Sequence, residues 1–205
     1  MSQYSYINLI KREAKSYGKA YGIPLAMAQE KIARDSGFAH FHEMVAVSKS
    51  NPNDQRLMIR AVGLTNFNEI LFGDPIWGDL NLLVEDELSG PIAETNAAGF
   101  IVENLEVYTA NYDESNGIAT LEVYFEYQGE QDEDRVWHGA GFYIHGQIQL
   151  IFRDGWSLVE DDALLITEFK TDQDLDHEIE AEHQYEEYLA LQKSNGKPAS
   201  DPFEF

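Results

Sequence analysis

The residues equipped for chemistry are six histidines, a row of lysines near the start of the chain, and an excess of carboxylates towards its end. His177, Glu178 and His183 sit in a segment rich in Glu and Ala. Two histidines share a metal on one helix face when they stand four apart. Here they stand six apart, about 600° of helical rotation, so the segment reads as a solvated face. His40 and His42 flank Phe41 and, two apart on a helix, point in different directions. Glu160, Asp161 and Asp162 lack the glycine-containing loop of a calcium site. The chain contains no cysteine, which excludes disulfides, thiolate metal ligands and a cysteine nucleophile. It also carries no phosphate-binding loop, dinucleotide fingerprint or nucleophile elbow. No metal and no cofactor is expected.

One group has the makings of a ligand site. His138 and His145 fall in residues 137–153, which read as one long strand. Seven apart, they face opposite sides of a sheet unless a bulge at Gly139, Gly141 or Gly146 brings them together. With Arg135, Trp137 and Tyr143 they would then line a pocket on a concave sheet face, suited to a small molecule or an enzymatic substrate.

Charge divides the chain more sharply than any motif. Residues 1–60 hold nine Lys/Arg against five Asp/Glu, a net +4, and residues 61–205 hold five against 32, a net −27. Such asymmetry implies two surfaces with different partners. In the basic part, Lys11, Lys15 and Lys19 form an i, i+4, i+8 row able to contact phosphates, so a nucleic-acid-binding regulator through residues 1–50 is one expectation. In the acidic part, Glu122, Glu126, Asp132, Glu133 and Asp134 precede a denser run containing Asp172, Asp174, Asp176, Glu180 and Glu187. These acids are the expected contact surface for a basic protein such as a nuclease, by nucleic-acid mimicry or neutralisation; electrostatic complementarity of that kind gives fast, salt-sensitive association.

The elements that would position these groups follow from periodicity. Residues 6–21, about 24–35 and about 39–47 read as three helices with tight turns. Leu25, Ala28 and Ile32 are expected inward on the second; Phe41, Met44 and Val45 on the third. A fourth helix is predicted over 54–62, capped by Asn53 or Asp54. Two short helices are predicted between 66 and 88, separated by a break at 73–78, with Ser89-Gly90-Pro91 ending the helical region. Strands follow over 100–112, 118–128, 137–153 and 164–169. Asn116-Gly117 marks the first hairpin. Residues 118–128 alternate cleanly, with Leu121, Val123, Phe125 and Tyr127 on one face and Glu122, Tyr124, Glu126 and Gln128 on the other. Residues 171–192 read as an acidic helix and 193–205 as a flexible tail. The expected fold is α+β: an N-terminal helical segment, a four-stranded antiparallel meander and a C-terminal acidic helix. Its parts are a three-helix module over 1–50, a helical connection over 51–95, and sheet plus acidic helix over 96–192.

Residues 14–46, AKSYGKAYGIPLAMAQEKIARDSGFAHFHEMVA, resemble a short helical module of proteins from plasmids, phages and other mobile elements, some of which are labelled glyoxalase-like. The positions that carry the resemblance are Ala14-Lys15, Gly22-Ile23, Ala28, Glu30, Ile32-Ala33-Arg34, Gly37-Phe38, Phe41 and Met44; Phe41 stands where the module often has Trp. The resemblance implies a mobile-element context and brings no catalytic residue with it. The remainder of the chain lacks the metal-ligand spacing that a glyoxalase-like domain requires.

No apolar run approaches the roughly 18 residues that span a membrane, and the N-terminus has no secretory signal, so a cytoplasmic protein without a membrane partner is expected. The leading functional expectation is a non-enzymatic interaction protein, with a ligand pocket or enzyme site as the alternative.

Overall fold

The computed structural model describes residues 2–194, with side chains as far as Leu191. Of the tail expected over 193–205, residues 195–205 lie outside those described.

The first helix, α1 (Tyr6–Tyr21), has the expected bounds. It ends because Gly22 adopts a left-handed conformation, φ 63°, and returns its N–H to the Gly18 carbonyl. α2 (Leu25–Asp35), α3 (Phe41–Ser50) and α4 (Gln55–Val62) follow. His40 caps α3: its Nδ1 accepts the Glu43 N–H at 2.9 Å, while the Glu43 carboxylate accepts the Ala39 N–H at 2.6 Å. Asp54 caps α4 through the Arg56 N–H and also pairs with the Arg56 guanidinium, both at 3.0 Å. Ile10, Ile32, Met44 and Leu57 are fully buried together, so α4 shares the core of the first three helices and the helical unit runs to Val62 rather than residue 50. Leu25 is 48% exposed, contrary to expectation. It lies in the first turn of α2, ahead of the stripe Ala28–Ile32–Ala33 that meets α1.

A 3₁₀ turn (Phe67–Phe72), α5 (Asp74–Glu87) and α6 (Ser89–Glu94) connect this unit to the sheet. The expected break at 73–78 shrinks to Gly73. Pro75 sits in the first turn of α5, where no N–H partner is needed, and Gly78 is absorbed into the helix. Ser89-Gly90-Pro91 begins α6 instead of ending the helical region.

The sheet is antiparallel. β1 (Ala97–Asp113), β2 (Ile118–Gln131) and β3 (Gly141–Phe152) are neighbours in chain order. β4 (Trp156–Leu158) pairs with residues 150–152 of β3, and β5 (Leu164–Thr171) pairs with residues 142–148. The two occupy one strand position, interrupted at 159–163, where Asp162 has φ 52°. The meander is therefore four-stranded in layout with its last strand broken in two. β1 has three register shifts, two of them at residues with positive φ, Gly99 and Asn104, and these bulges curl the edge of the sheet. α7 (Asp172–Ser194) follows β5 directly. No helix among the described residues is long and apolar enough to cross a membrane.

Alternation decides which face is buried. Ala119, Leu121, Val123, Phe125 and Tyr127 of β2 and Phe142, Ile144, Ile148 and Leu150 of β3 point to one side, where Ile76, Leu80 and Val84 of α5 cover them. Each large apolar side chain buried there stabilises the fold by about 1.5–3 kcal/mol.

The helical unit and the sheet share one seam. Leu64, Phe67, Tyr112 and Trp156 pack against both cores, and the Trp156 indole donates to the Val62 carbonyl at 3.1 Å. The N-terminal strap completes the seam. The Tyr4 N–H donates to the Glu114 carbonyl at 2.9 Å, and the Tyr112 hydroxyl donates to the Tyr4 carbonyl at 3.0 Å. The Tyr4 ring lies on Gly117, with the guanidinium groups of Arg12 and Arg153 5.2 and 4.8 Å from its centroid.

Two predictions follow from the seam. A Cβ on Gly117 would stand 2.8 Å from the Tyr4 ring, at a backbone φ of 76°. Gly117→Ala is expected to cost about 2–4 kcal/mol in urea denaturation, and to raise amide exchange in α1 more than in β2. Burial, with Glu114 adding to it, pushes the Tyr6 phenol up to about 12, and burial raises Tyr112 as well. Both hold their protons more tightly folded than unfolded, where tyrosine ionises near 10. Both contributions are whole below about pH 10; that of Tyr6 is lost as pH rises through about 12, and that of Tyr112 higher still. Stability measured against pH should decline across that window, and Tyr6→Phe should flatten the decline without changing stability at neutral pH.

Candidate functional site

The second face of the sheet is uncovered. Along β2 and β3 its residues, among them Glu122, Tyr124, Glu126, Tyr143 and His145, are half-buried or exposed. Strand register sets their neighbours. Tyr124 is opposite His145, His145 opposite Glu168, Glu106 opposite Tyr124, and Glu103 opposite Glu126. The His145 ring lies 4.9 Å from that of Tyr124 and 6.1 Å from that of Tyr108, the latter nearly parallel. The Tyr124 hydroxyl donates to Glu126 at 3.2 Å. Burial, then the charge of Glu126, pushes the Tyr124 phenol up to about 12, so this ring stays neutral on an acidic surface. Glu122 accepts from the Thr109 hydroxyl at 2.9 Å.

Among the described residues, Glu103, Glu106, Glu122 and Glu126 have no cation within ion-pairing distance, and Glu103 and Glu126 are like charges directly opposed across two strands. Such opposition is unfavourable. Lys170 of β5 brings positive charge to this face but is already engaged, by Glu178 at 2.9 Å and Glu168 at 3.6 Å.

α7 extends the acidic surface. Asp172 anchors it: its carboxylate accepts the N–H groups of Ala140 and Gly141 at 2.7 and 2.8 Å and the Tyr143 hydroxyl at 3.2 Å. Asp174 accepts the backbone N–H and hydroxyl of Thr171, both at 2.8 Å, which hold its carboxyl below the usual range. These two acids of the expected contact surface thus position the helix. Asp176, Glu180 and Glu187 are exposed further along it, with His183 3.9 Å from Glu187. Asp132, Glu133 and Asp134 lie in the exposed loop 132–140, where Asp132 pairs with Arg135 at 3.3 Å.

The expected pocket group is divided. The strand begins at Gly141, not at 137, so parity places only Tyr143 and His145 on the open face. Arg135 and Trp137 project from the loop, Trp137 51% exposed. His138 instead reaches the sheet's other side, at a cavity of about 220 Å³ bounded by Glu94, Thr95, Phe142, Phe169 and Thr171. Lys15 and Lys19 are exposed and Lys11 half-buried on the outer face of α1, none with an ion pair among the described residues. No three of His, Asp and Glu among the described residues stand close enough to hold a metal ion.

Sequence reasoning placed Tyr124 on the face of Glu122 and Glu126 but did not single it out. Alternation sets Glu106 and Tyr108 together, opposite Leu105 and Val107, but does not mark them as a site; Glu103 and Glu168 escape it because bulges in β1 and β5 shift the parity by which a strand's faces are read.

Comparison of the chain with protein-family models, with curated proteins and with solved structures returned no match.

The Asp172 anchor is testable. Asp172→Asn keeps the shape but gives up charge-assisted acceptance from two backbone N–H groups. It is expected to lower global stability by about 1–3 kcal/mol, and to speed amide exchange at Ala140 and Gly141. Unchanged exchange at those two amides would show that the carboxylate does not hold them.

Proposed function

We propose that this protein is a non-enzymatic interaction protein that uses its acidic surface to bind, and thereby occlude, a basic partner of the nucleic-acid-binding or nuclease kind. The observation that carries the reading is the open sheet face. It has four carboxylates without a cation among the described residues, and its one lysine is already held by two further carboxylates. The exposed acids of α7 add to the same field. A folded surface of one sign raises the local concentration of oppositely charged partners and speeds their association at low ionic strength. The resemblance of residues 14–46 to a mobile-element module supports a setting in which neutralising a foreign or self-encoded nucleic-acid enzyme is useful.

A second reading has one observation in its favour. The cavity beside His138 is partly enclosed, floored by Phe142 and Phe169 and edged by Glu94 and Thr171, as small-ligand sites commonly are. A thermal-shift screen with His138→Ala as control would reveal it by ligand-dependent stabilisation that the variant lacks.

The main reading is tested by affinity capture at about 50 mM salt with elution at about 300–500 mM, across which the screening length falls well below 10 Å. One discrete basic protein is expected to elute. Its affinity, measured with purified components, should weaken at least about tenfold over that range. Glu122→Lys with Glu126→Lys should abolish the interaction while the thermal transition persists. Binding that is indifferent to both salt and charge reversal would sink the proposal.

A further inference from the structure

The open face is aromatic as well as acidic, and that combination narrows what can bind there. A lysine ammonium, compact and strongly hydrated, is satisfied by carboxylates alone. A guanidinium is planar, weakly hydrated and forked, so it both stacks on rings and bridges two carboxylates. The face offers both features side by side. Tyr108, His145 and Tyr124 form one contiguous cluster of rings, and Glu106 and Glu126 flank Tyr124 through the strand register and a hydrogen bond. Glu103 and Glu126, directly opposed, have Cβ atoms about 5 Å apart, a separation one guanidinium fork can span. The molecule shows this preference within itself. Arg12 and Arg153 sit on the Tyr4 ring, and Arg56 lies 4.0 Å from the centroid of Phe38.

We propose that the uncovered sheet face docks an arginine-rich segment of the partner, its guanidinium groups stacked on the Tyr108–His145–Tyr124 cluster and paired with Glu103 and Glu126. This rests on the basic-partner reading and deepens it by assigning the face and the cation. Docking would relieve the Glu103–Glu126 opposition, which hydrogen bonds from Tyr124 and Gln128 to Glu126 temper but which no cation among the described residues neutralises.

The experiment compares fluorescent oligo-arginine and oligo-lysine peptides of equal length, by anisotropy at low salt, on the full chain and three variants. The unaltered protein is expected to bind oligo-arginine about two- to fivefold more tightly than oligo-lysine, the margin one exposed cation–π contact supplies. Tyr108→Leu with Tyr124→Leu, which removes the rings but keeps apolar bulk, should bring the two affinities together. Asp176→Asn, Glu180→Gln and Glu187→Gln combined should weaken both peptides equally and leave their ratio intact. Glu103→Gln with Glu126→Gln should raise the melting temperature, by removing the like-charge opposition, yet weaken oligo-arginine at least about fivefold. Rising stability with falling affinity cannot come from misfolding. Equal affinity of the unaltered protein for both peptides, or an arginine preference that survives the tyrosine replacements, overturns this assignment while leaving the basic-partner reading standing. Absence of salt-sensitive binding to either peptide overturns both.

Discussion

A sheet whose strands alternate strictly between apolar and polar side chains can bury one face only, and the rest of this molecule is arranged around that fact. Five successive inward positions of β2, from Ala119 to Tyr127, are at most 1% exposed. Their partners on β3 continue the layer, and α5 closes it. With its single covering layer of helix, the sheet must present the intervening residues outward. A one-residue slip in register would place Glu122 and Glu126 against Leu80 and Val84, at a cost of several kcal/mol for each buried charge. The same alternation that builds the core therefore fixes which residues form the open surface.

The helical unit depends on this sheet through a small number of directional contacts. The centre of its own core, Ile10, Ile32, Met44 and Leu57, comes from the helices alone, while Tyr112, Phe152 and Trp156 of the sheet pack against its edge. Its placement rests on Trp156, Tyr112 and the strap at Tyr4, all of which meet at the β1–β2 and β3–β4 ends of the strands. Gly117 is central because two demands coincide there: a positive φ for the turn and an open space for an aromatic ring.

Much of this could be read from the chain, for reasons that differ by element. The bounds of α1 were legible because the apolar spacing and Gly22 agree, and the faces of β2 because eleven residues alternate without interruption. Reading failed where local signals conflict with tertiary context. Gly78 and Pro75 suggest a break, yet burial of Ile76, Leu80 and Val84 on the sheet holds α5 together. Leu25 has the character of a core residue but stands a turn before the surface that α1 offers. The pocket group needed a bulge to join its two histidines, and β3 starts only at Gly141 and pairs with β2 without a shift, which leaves His138 in a loop on the opposite side of the sheet from His145. A bulge in β1 hid Glu103, since the shift between Glu103 and Glu106 puts residues of opposite parity on one face.

The division of charge in the sequence survives folding as a division of surface. Had the lysines of α1 folded back onto the sheet or α7, the molecule would neutralise itself and its composition would carry little meaning for partners. Instead the ion pairs among the described residues stay within each part. Arg60 meets Glu13, Arg56 meets Asp54 and Lys31 meets Asp35 in the helical unit, while Lys170 and Arg135 are held by acids of the sheet region and α7. Contacts across the seam are apolar packing, hydrogen bonds and arginines resting on the Tyr4 ring. A seam built this way is insensitive to salt, whereas the repulsion within the acidic face is screened as salt rises. The two parts therefore keep their relative placement across the ionic range over which the proposed association through the open face would strengthen and weaken, which is what a charge-driven binding surface needs from the scaffold that carries it.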